Sequence, residues 1–377
     1  MLYKDFQDLK LSALGLGMMR LPKNGSGDGD IDEAKAAEMV DYALKNGVNY
    51  FDTAYAYHGG QSEIVTGRIL GRYPRDSYYL ASKFPGYDVA NIERAPEIFE
   101  EQLKKCGVEY FDFYLLHNVC EDTVDGYLDE DKGLMRYLLA QKQAGRIRHL
   151  GFSCHGNYDT LKRVLDIYGE YLEFCQIQLN YMDWHYQDAK ARVELLNQRG
   201  VPIWVMEPLR GGKLANLPRS AAEKLRSLRP DESVPGWALR FQQSVPGVAV
   251  VLSGMSNMQQ LQENIATFSE EHPLTQEEFD AVVSVADGMT AGGVLPCTAC
   301  RYCTTRCPAH LDIPALLSLY NEYRFSGDAS VLQEVSAMPR EKSPAACIAC
   351  RSCEGICPQK IKVSETMADF ASSAGLR

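Results

Sequence analysis

A cysteine run that occurs twice near the end of the chain constrains its fold more than any other sequence feature. Eight of the twelve cysteines fall in two copies of the pattern C-x-x-C-x-x-C-x-x-x-C-P, and the intervening residues agree as well, CTACRYC against CIACRSC. This agreement indicates an internal duplication. Three thiolates at two-residue intervals can wrap one loop around a cubane, with a sulfur for each of three irons. The pattern therefore predicts two [4Fe–4S] clusters.

The fourth cysteine of each run, followed by proline, is expected to turn toward the other cluster. One cluster is assigned to Cys297, Cys300, Cys303 and Cys357, and the other to Cys347, Cys350, Cys353 and Cys307. This pattern resembles that of bacterial two-cluster ferredoxins. The alternative is a pair of structural zinc sites with four cysteines each. Zinc sites use paired C-x-x-C motifs and need neither the third close cysteine nor the Cys-Pro ending.

Length and charge limit the classes of partner. A chain of 377 residues exceeds the usual size of a single hydrophobic core, so two domains are expected. Residues 291–377 hold nine Lys and Arg against eight Asp and Glu, so their net charge is +1. Because the whole chain has a net charge of −11, residues 1–290 carry −12. This charge argues against nucleic acid and anionic membranes as partners. The N-terminal residues MLYKDFQDLK lack the apolar stretch of a signal peptide, so a cytoplasmic protein with reduced cysteines is expected.

The first 290 residues alternate strand-like and helix-like segments about eight times. Helical patterns such as Ala34–Asn46, Pro96–Cys106 and Asp188–Arg199 are each followed by glycine. This α/β alternation predicts a (β/α)8 TIM barrel over residues 1–290, with an N-terminal hairpin closing its bottom. A small C-terminal α-helical, ferredoxin-like iron–sulfur domain follows over 291–377, with a helical insert at 309–343. Candidate strands, rich in apolar residues, end near Gly17, Thr53, Phe84, Asn118, His155, Asn180, Leu209 and Gly254.

Four polar side chains follow predicted strands, at the end of a barrel where catalytic residues are found. They are Asp52 and Tyr57 in YFDTAYAYHGG, Lys83 in YYLASKF and His117 in FYLLHN. A single strand-end Asp or His is more often structural, but four in this order and spacing are not expected by coincidence. Together with MEPLRGGKL and LQENI further along, they resemble the aldo/keto reductase family over essentially all of residues 1–290.

The resemblance implies NAD(P)H-linked reduction of a carbonyl-type small molecule. Tyr57 would donate a proton to the carbonyl oxygen, and Lys83, held by Asp52, would favour release of that proton. His117 would hydrogen-bond the same oxygen and orient the carbonyl group.

The resemblance also carries over positions that would bind the nicotinamide cofactor. Met206 stands where an aromatic residue usually stacks on the nicotinamide ring, and Cys154 replaces the asparagine beside Ser153. Gly254 and Gln260 replace the lysine and arginine with which many members read the adenosine 2′-phosphate, so no strong preference for NADP is expected. The predicted positions are Ser153, Gln176, Met206, Pro208, Leu209, Gly211, Gly212, Lys213, Ser253, Gly254, Gln260 and Asn264.

Two functions stay open on the sequence alone. The first is a carbonyl reductase whose clusters are structural or carry electrons. The second is an electron-transfer protein, or a reductase fed by its clusters, whose barrel does not use nicotinamide hydride chemistry. Because nicotinamide gives two electrons and a cluster passes one, flavin is a further candidate cofactor, and a redox protein is a further candidate partner. The acidic loop after His117 disfavours a highly anionic substrate.

Overall fold

The computed structural model describes residues 1–25, 27–291, 294–326 and 329–376. It divides into two compact units, one of Met1–Leu209 with Leu214–Asp280, and one of Ala281–Arg377 with Arg210–Lys213. The strands are β1 (Tyr3–Phe6), β2 (Leu9–Ser12), β3 (Leu14–Gly17), β4 (Tyr50–Asp52), β5 (Tyr79–Phe84), β6 (Phe111–Val119), β7 (Ile147–Cys154), β8 (Cys175–Gln178), β9 (Ile203–Met206) and β10 (Val248–Ser253). The helices are α1 (Glu33–Lys45), α2 (Gln61–Leu70), α3 (Ala95–Cys106), α4 (Val124–Leu128), α5 (Leu134–Gln143), α6 (Tyr158–Tyr168), α7 (Asp183–Tyr186), α8 (Ala189–Gln198), α9 (Arg219–Leu228), α10 (Val234–Ser244), α11 (Met258–Thr267), α12 (Gln276–Thr290), α13 (Ile313–Ser326), α14 (Ala329–Ser336) and α15 (Val363–Ser373).

The first unit is a closed barrel of parallel strands in the order β10-β3-β4-β5-β6-β7-β8-β9. All eight predicted strands are present, and the predicted (β/α)8 fold is confirmed. The strands are mostly buried because the barrel interior covers one face and the surrounding helices cover the other. In β6, for example, all nine residues are buried.

The N-terminal segment forms the predicted hairpin, in which β1 and β2 pair antiparallel. Phe6, at the end of β1, packs edge-on against His149 and Trp204, with ring centroids 5.1 Å away in each case. Phe6 and Trp204 belong to a buried core cluster that also contains Tyr50 and Phe113. Burying a phenylalanine side chain contributes roughly 2–3 kcal/mol, so the hairpin stabilises the end of the barrel opposite the strand C-termini.

Local signals account for several helix boundaries. The Asp32 carboxylate accepts a hydrogen bond from the Lys35 amide at 3.1 Å and caps the start of α1. Helix α3 ends at Gly107, which has the left-handed φ of 64° that glycine adopts without strain.

The second unit contains α13, α14 and α15 around two small apolar cores. The first core holds Leu316, Leu317 and Met367 beside the cysteines, and the second holds Tyr320, Val335 and Phe370. The units divide after Asp280, inside α12, and the predicted domain boundary after residue 290 falls at the end of the same helix. A helix that continues across the division gives no turn signal in the sequence at that point.

None of the helices within the described ranges is long and apolar enough to cross a lipid bilayer.

Candidate active site and cysteine cavities

The four predicted catalytic residues come from three neighbouring barrel strands. Asp52 is the last residue of β4, Lys83 lies near the end of β5, and His117 lies near the end of β6. Tyr57 is in the short 3-10 turn that follows β4. Since parallel strands bring their C-terminal ends to one rim, residues far apart in sequence share one site there.

Lys83 is the centre of this arrangement and has no exposed surface (0%). Its ammonium group donates to Asp52 Oδ1 at 2.5 Å and to the Thr53 carbonyl at 2.7 Å. The same nitrogen lies 4.8 Å from the centroid of the Tyr57 ring. That ring meets the His117 ring edge-on, with centroids 5.8 Å apart. The structure therefore brings all four predicted catalytic residues together.

Burial and ion pairing act in opposite directions on the Asp52–Lys83 pair. Burial raises the pKa of Asp52 above its ordinary value, while the Lys83 charge opposes that rise. Burial likewise lowers the pKa of Lys83, and Asp52 opposes that fall. Each charge is therefore tolerated in the apolar interior because the other is present.

His117 is held at a bulge, because the register between β6 and β7 shifts between Leu116 and Val119. The Tyr127 hydroxyl donates to the His117 carbonyl, which fixes the backbone at this point. Burial, together with the Lys83 charge, lowers the pKa of the His117 imidazole well below its usual value. The ring is therefore neutral near neutral pH, and its Nδ1 has no hydrogen-bond partner among the residues that the structure describes.

His155, which directly follows β7, is a second imidazole that the sequence analysis did not assign to the site. Its backbone amide donates to the Val119 carbonyl at 2.8 Å, which ties it to the end of β6. A charge on His155 would lower the pKa of His117. Burial, Arg192 and Lys83 in turn lower the pKa of His155 to about 4. The signal was available, because His155 is a polar residue at a predicted strand end.

A buried polar network lies behind Lys83. Gln102 on α3 donates to the Lys83 carbonyl at 3.0 Å and to Glu63 Oε1 at 2.6 Å. Ser82 also donates to Glu63 Oε1, at 2.6 Å, and the Tyr114 hydroxyl donates to Gln102. Burial raises the pKa of Glu63. This network, contributed by two helices and two strands, fixes the backbone that carries Lys83. No short motif in the sequence marks its residues.

Several predicted nicotinamide positions lie on adjacent strands. Ser153 of β7 is directly opposite Gln176 of β8. The Ser153 hydroxyl accepts a hydrogen bond from the Asn118 amide at 2.8 Å, which leaves its own hydrogen to donate. Gln176 Nε2 lies 3.6 Å from the sulfur of Met206. Its buried Oε1 has no hydrogen-bond partner within the described part of the chain. These side chains could hold a carboxamide, which offers both donors and an acceptor.

Gly254 lies beneath the side chain of Arg20. A Cβ added to Gly254 would lie 3.0 Å from both Cγ and Cδ of Arg20, so glycine leaves room for the arginine stem. The Arg20 guanidinium lies 3.5 Å from the Glu207 carboxylate. Gln260 Oε1 accepts from the Ser256 amide at 2.8 Å. Arg20 was missed because only the fold brings it to residue 254.

The remaining predicted cofactor positions are divided between the units. Asn264 donates to the Ser253 hydroxyl at 3.0 Å within the barrel unit, which also contains Pro208 and Leu209. Gly211, Gly212 and Lys213 belong to the second unit. Burial raises the pKa of Cys297 in that unit, and the charges of Lys213 and Arg210 oppose the rise. The predicted diphosphate loop is thus grouped with the cysteine-containing unit, and the other predicted cofactor positions are grouped with the barrel.

The eight cysteines of the second unit line two cavities. In each cavity, three cysteines of one run meet the last cysteine of the other run. The first cavity is lined by Cys297, Cys300, Cys303 and Cys357. The second is lined by Cys307, Cys347, Cys350 and Cys353.

The duplication is also present in the backbone around these cavities. Ala299 and Ala349 have left-handed φ values of 53° and 55°, and Arg301 and Arg351 have 67° and 61°. Such values are uncommon for residues other than glycine and are found where a functional loop is held in one shape. Among the described residues, no three Cys, His, Asp or Glu side chains converge as ligands of a single ion would. Four thiols around a cavity suit the irons of a cubane.

Comparisons with known proteins match the two parts of the chain to two different families. The model of the aldo/keto reductase family matches residues 13–287, and the model of the 4Fe-4S dicluster domain matches residues 296–361. A probable aldo-keto reductase from Glycine max is 28% identical to this chain. The match covers 58% of this chain and 63% of that relative. The NADH-specific methylglyoxal reductase of Escherichia coli K12 is 23% identical over 70% of this chain and 91% of its own length. The holo form of an aldo-keto reductase from Bacillus halodurans superposes with a TM-score of 0.61 at 26% identity, covering 75% of this chain and 95% of its own.

The barrel, the tetrad at its rim and these matches lead to one assignment. The chain is an oxidoreductase that belongs to the aldo/keto reductase family and carries a 4Fe-4S dicluster domain at its C-terminal end.

Proposed function

We propose that the barrel reduces a carbonyl group of a small molecule with NAD(P)H and that the second unit holds two [4Fe–4S] clusters. The observation that carries the barrel proposal is the complete tetrad around Lys83, with its ammonium group 2.5 Å from Asp52 and 4.8 Å from the Tyr57 ring. Both partners of the Asp52–Lys83 pair are buried, unlike those of a surface ion pair, whose contribution to stability is small.

Each member of the tetrad has a separate part in the proposed reaction. The Tyr57 hydroxyl holds the proton that passes to the substrate oxygen, and the Lys83 charge stabilises the phenolate that remains. Asp52 keeps Lys83 charged and in place. Neutral His117 has a hydrogen on one ring nitrogen and can donate it to the carbonyl oxygen, where negative charge develops. A reduced nicotinamide, when bound, supplies the hydride.

The residues present fit a nicotinamide carboxamide. The orphaned Oε1 of Gln176 needs a donor, and the Ser153 hydroxyl, opposite it on the neighbouring strand, can supply one to a carboxamide oxygen. The E. coli relative is named as NADH-specific. Together with the absence of a charged side chain at Gly254 and Gln260, that name supports NADH as a cofactor.

The cysteine cavities fit cubane clusters. Each has four thiols at its wall, and the sequence between Cys297 and Cys357 matches a dicluster family. We infer crossed ligation, since each cavity takes its fourth cysteine from the other run. This donor set favours iron–sulfur clusters over the zinc alternative.

A second candidate function rests on one specific observation. Gly211, Gly212 and Lys213 are grouped with the second unit, which also contains the cysteine cavities. A reductase fed with electrons by its clusters would not need a diphosphate loop in the barrel. Flavin would then be the expected converter between one-electron and two-electron steps.

Anaerobic purification followed by analysis of iron, acid-labile sulfide, flavin and nicotinamide separates these proposals. We expect about eight irons and eight sulfides per chain, with a brown absorption that dithionite bleaches. Addition of NADH and of NADPH then shows whether either is consumed with a carbonyl substrate such as methylglyoxal. Zinc without sulfide would contradict the cluster proposal, and bound flavin without nicotinamide consumption would favour the second candidate.

A further inference from the structure

The internal duplication supplies a control for every surface residue of the second cysteine run, whose counterpart lies fifty residues earlier, as Cys297 precedes Cys347. The two runs share their left-handed residues. They also share a hydrogen bond of 3.0 Å to the carbonyls of Arg301 and Arg351, from the amides of Thr304 and Glu354 respectively. Differences between matched positions therefore reflect the side chains and their surroundings rather than the loop shape.

The residue after the first cysteine differs most between the runs. Thr298 is buried, with 4% of its surface exposed, whereas its counterpart Ile348 is 66% exposed. A polar residue is buried and an apolar one faces solvent, which reverses the usual preference. Ile348 also lines the second cavity, so this side chain lies between the cavity and solvent. Cys350 of the same cavity is exposed as well.

The charges of the two runs differ in the same direction. Arg301 is paired with Asp312 at 3.0 Å. The counterpart of Asp312 is Lys362, and within the described part of the chain the exposed Arg351 side chain makes no ion pair. Lys360 replaces His310. Lys362 is itself paired with Glu365 at 3.7 Å. The surface beside the second cavity therefore combines the exposed apolar Ile348 with one exposed arginine, Arg351, that has no ion pair among the described residues.

Opposite charges across an interface steer association, so the unpaired Arg351 would attract an acidic partner, and the apolar Ile348 nearby can exclude water from the contact. We propose that the second cavity is the port through which this protein exchanges electrons, and that Ile348, Cys350 and Arg351 form a docking surface for a small acidic one-electron carrier protein. This proposal rests on the proposed function, because it requires a cluster in each cavity.

The proposed step is a single electron transfer. The reduced carrier loses one electron and the cluster at the second cavity gains it, without formation of a bond between the proteins. Electrons then pass to the cluster at the first cavity, whose Thr298 is buried. A carrier seated on Ile348 would lie directly against the wall of the second cavity, which keeps the transfer distance short.

Flavodoxin, a small acidic protein, serves as the probe. Anaerobic holoprotein with verified iron and sulfide is mixed with flavodoxin hydroquinone in a stopped-flow instrument, and cluster bleaching is followed. We expect the second-order rate constant to fall steeply between low salt and about 0.5 M salt. Arg351→Glu should lower the low-salt rate about tenfold, and Ile348→Thr, which copies residue 298, should lower it several-fold. Binding of oxidised flavodoxin, measured by calorimetry, should weaken in the same order.

Arg324→Glu is the matched control, because Arg324 is an exposed arginine on α13 beside the other small core. It makes the same charge change and should leave the rate unaltered. Reduction by dithionite should be equal in all variants. Equal rates with flavodoxin in every variant, with intact clusters, would overturn the docking surface alone. Purified protein lacking iron and sulfide would overturn the proposed function as well.

Discussion

The properties of single residues at the barrel rim depend on a charge pair that neither partner could maintain alone. Lys83 is fully buried, and its ammonium group is satisfied by Asp52 and the Thr53 carbonyl. Removing one member of a buried pair leaves an uncompensated charge, which costs about 3–5 kcal/mol. Asp52 therefore stabilises the site as well as the charge state of Lys83, and its replacement would confound folding with catalysis. Tyr57 is the better residue for a test of mechanism.

Tyr57→Phe removes the proposed proton donor and leaves the ring packed against His117. Because the lost interaction belongs to the transition state, we expect kcat to fall by orders of magnitude while the affinity for the cofactor changes little. Steady-state kinetics with a carbonyl substrate and calorimetry with NADH provide the two measurements. Tyr55→Phe is the control, since the Tyr55 hydroxyl donates to Glu101 instead. Unchanged turnover in Tyr57→Phe would show that the tetrad does not perform this chemistry.

His58, the neighbour of Tyr57, is a titratable residue whose neutral form the fold requires. Its Nε2 accepts from the Leu21 amide at 3.2 Å, so Nδ1 carries the hydrogen that is shared with the Asp28 carbonyl at 2.9 Å. Burial lowers the pKa of His58 below 6.5. The unfolded chain therefore binds this proton more readily than the folded one, and stability falls as the pH drops below 6.5.

His58→Gln should flatten this pH dependence, because an amide can accept and donate without titrating. Melting temperatures of both proteins at pH 7 and at pH 5.5 provide the comparison. We expect the wild-type protein to lose more stability over that interval than the variant. The exposed His272 is the control, and His272→Gln should behave as the wild type does. An identical pH dependence in His58→Gln would show that this buried imidazole does not contribute to it.

At the scale of secondary structure elements, the sequence predicted what depends on local patterning. All eight barrel strands could be identified because strands buried on both faces are rich in apolar residues. The end of α3 could be predicted because a glycine, Gly107, follows its helical pattern. The Arg20 side chain above Gly254 could not be predicted, since it depends on packing between residues 234 positions apart. The Gln102 network was missed for the same reason.

The two cysteine runs make a prediction about elements, because each cavity takes residues from both. With crossed ligation, Cys307→Ser combined with Cys353→Ser damages one cluster only, and about four irons should remain. Cys307→Ser combined with Cys303→Ser damages both clusters, and almost no iron should remain. Iron and sulfide analysis of the two anaerobic double variants distinguishes them. The opposite result, with more iron in the second variant, would mean that each run binds its own cluster.

At the scale of the whole molecule, the proposed two-electron hydride transfer and the proposed one-electron cluster chemistry belong to different compact units. The barrel unit contains the tetrad, and the second unit contains the cysteine cavities together with Arg210–Lys213. In the family resemblance that segment would contact the cofactor diphosphate. Its place in the second unit makes the choice and strength of dinucleotide binding the measurement that tests the proposed function most directly.

We expect NADPH to bind no more than a few-fold more tightly than NADH. Discrimination for a 2′-phosphate rests on charge-assisted hydrogen bonds worth about 1.5–3 kcal/mol each. Gly254 offers no side chain, and the Gln260 amide is neutral and engaged with Ser256. Arg20 is a cation at this position, but Glu207 lies 3.5 Å from its guanidinium and offsets its charge.

Isothermal titration of NADH and NADPH into cluster-loaded protein tests this expectation, with Arg20→Met as the matched variant. Arg20→Met should change both affinities alike, because the wild-type arginine is already paired with Glu207. A hundred-fold preference for NADPH that Arg20→Met abolishes would instead identify Arg20 as the residue that reads the 2′-phosphate. If neither dinucleotide binds at millimolar concentration, hydride transfer from nicotinamide is removed as the function of the barrel. The tetrad would then act on a substrate reduced by electrons from the clusters, and the carrier that docks at Ile348 would be their source.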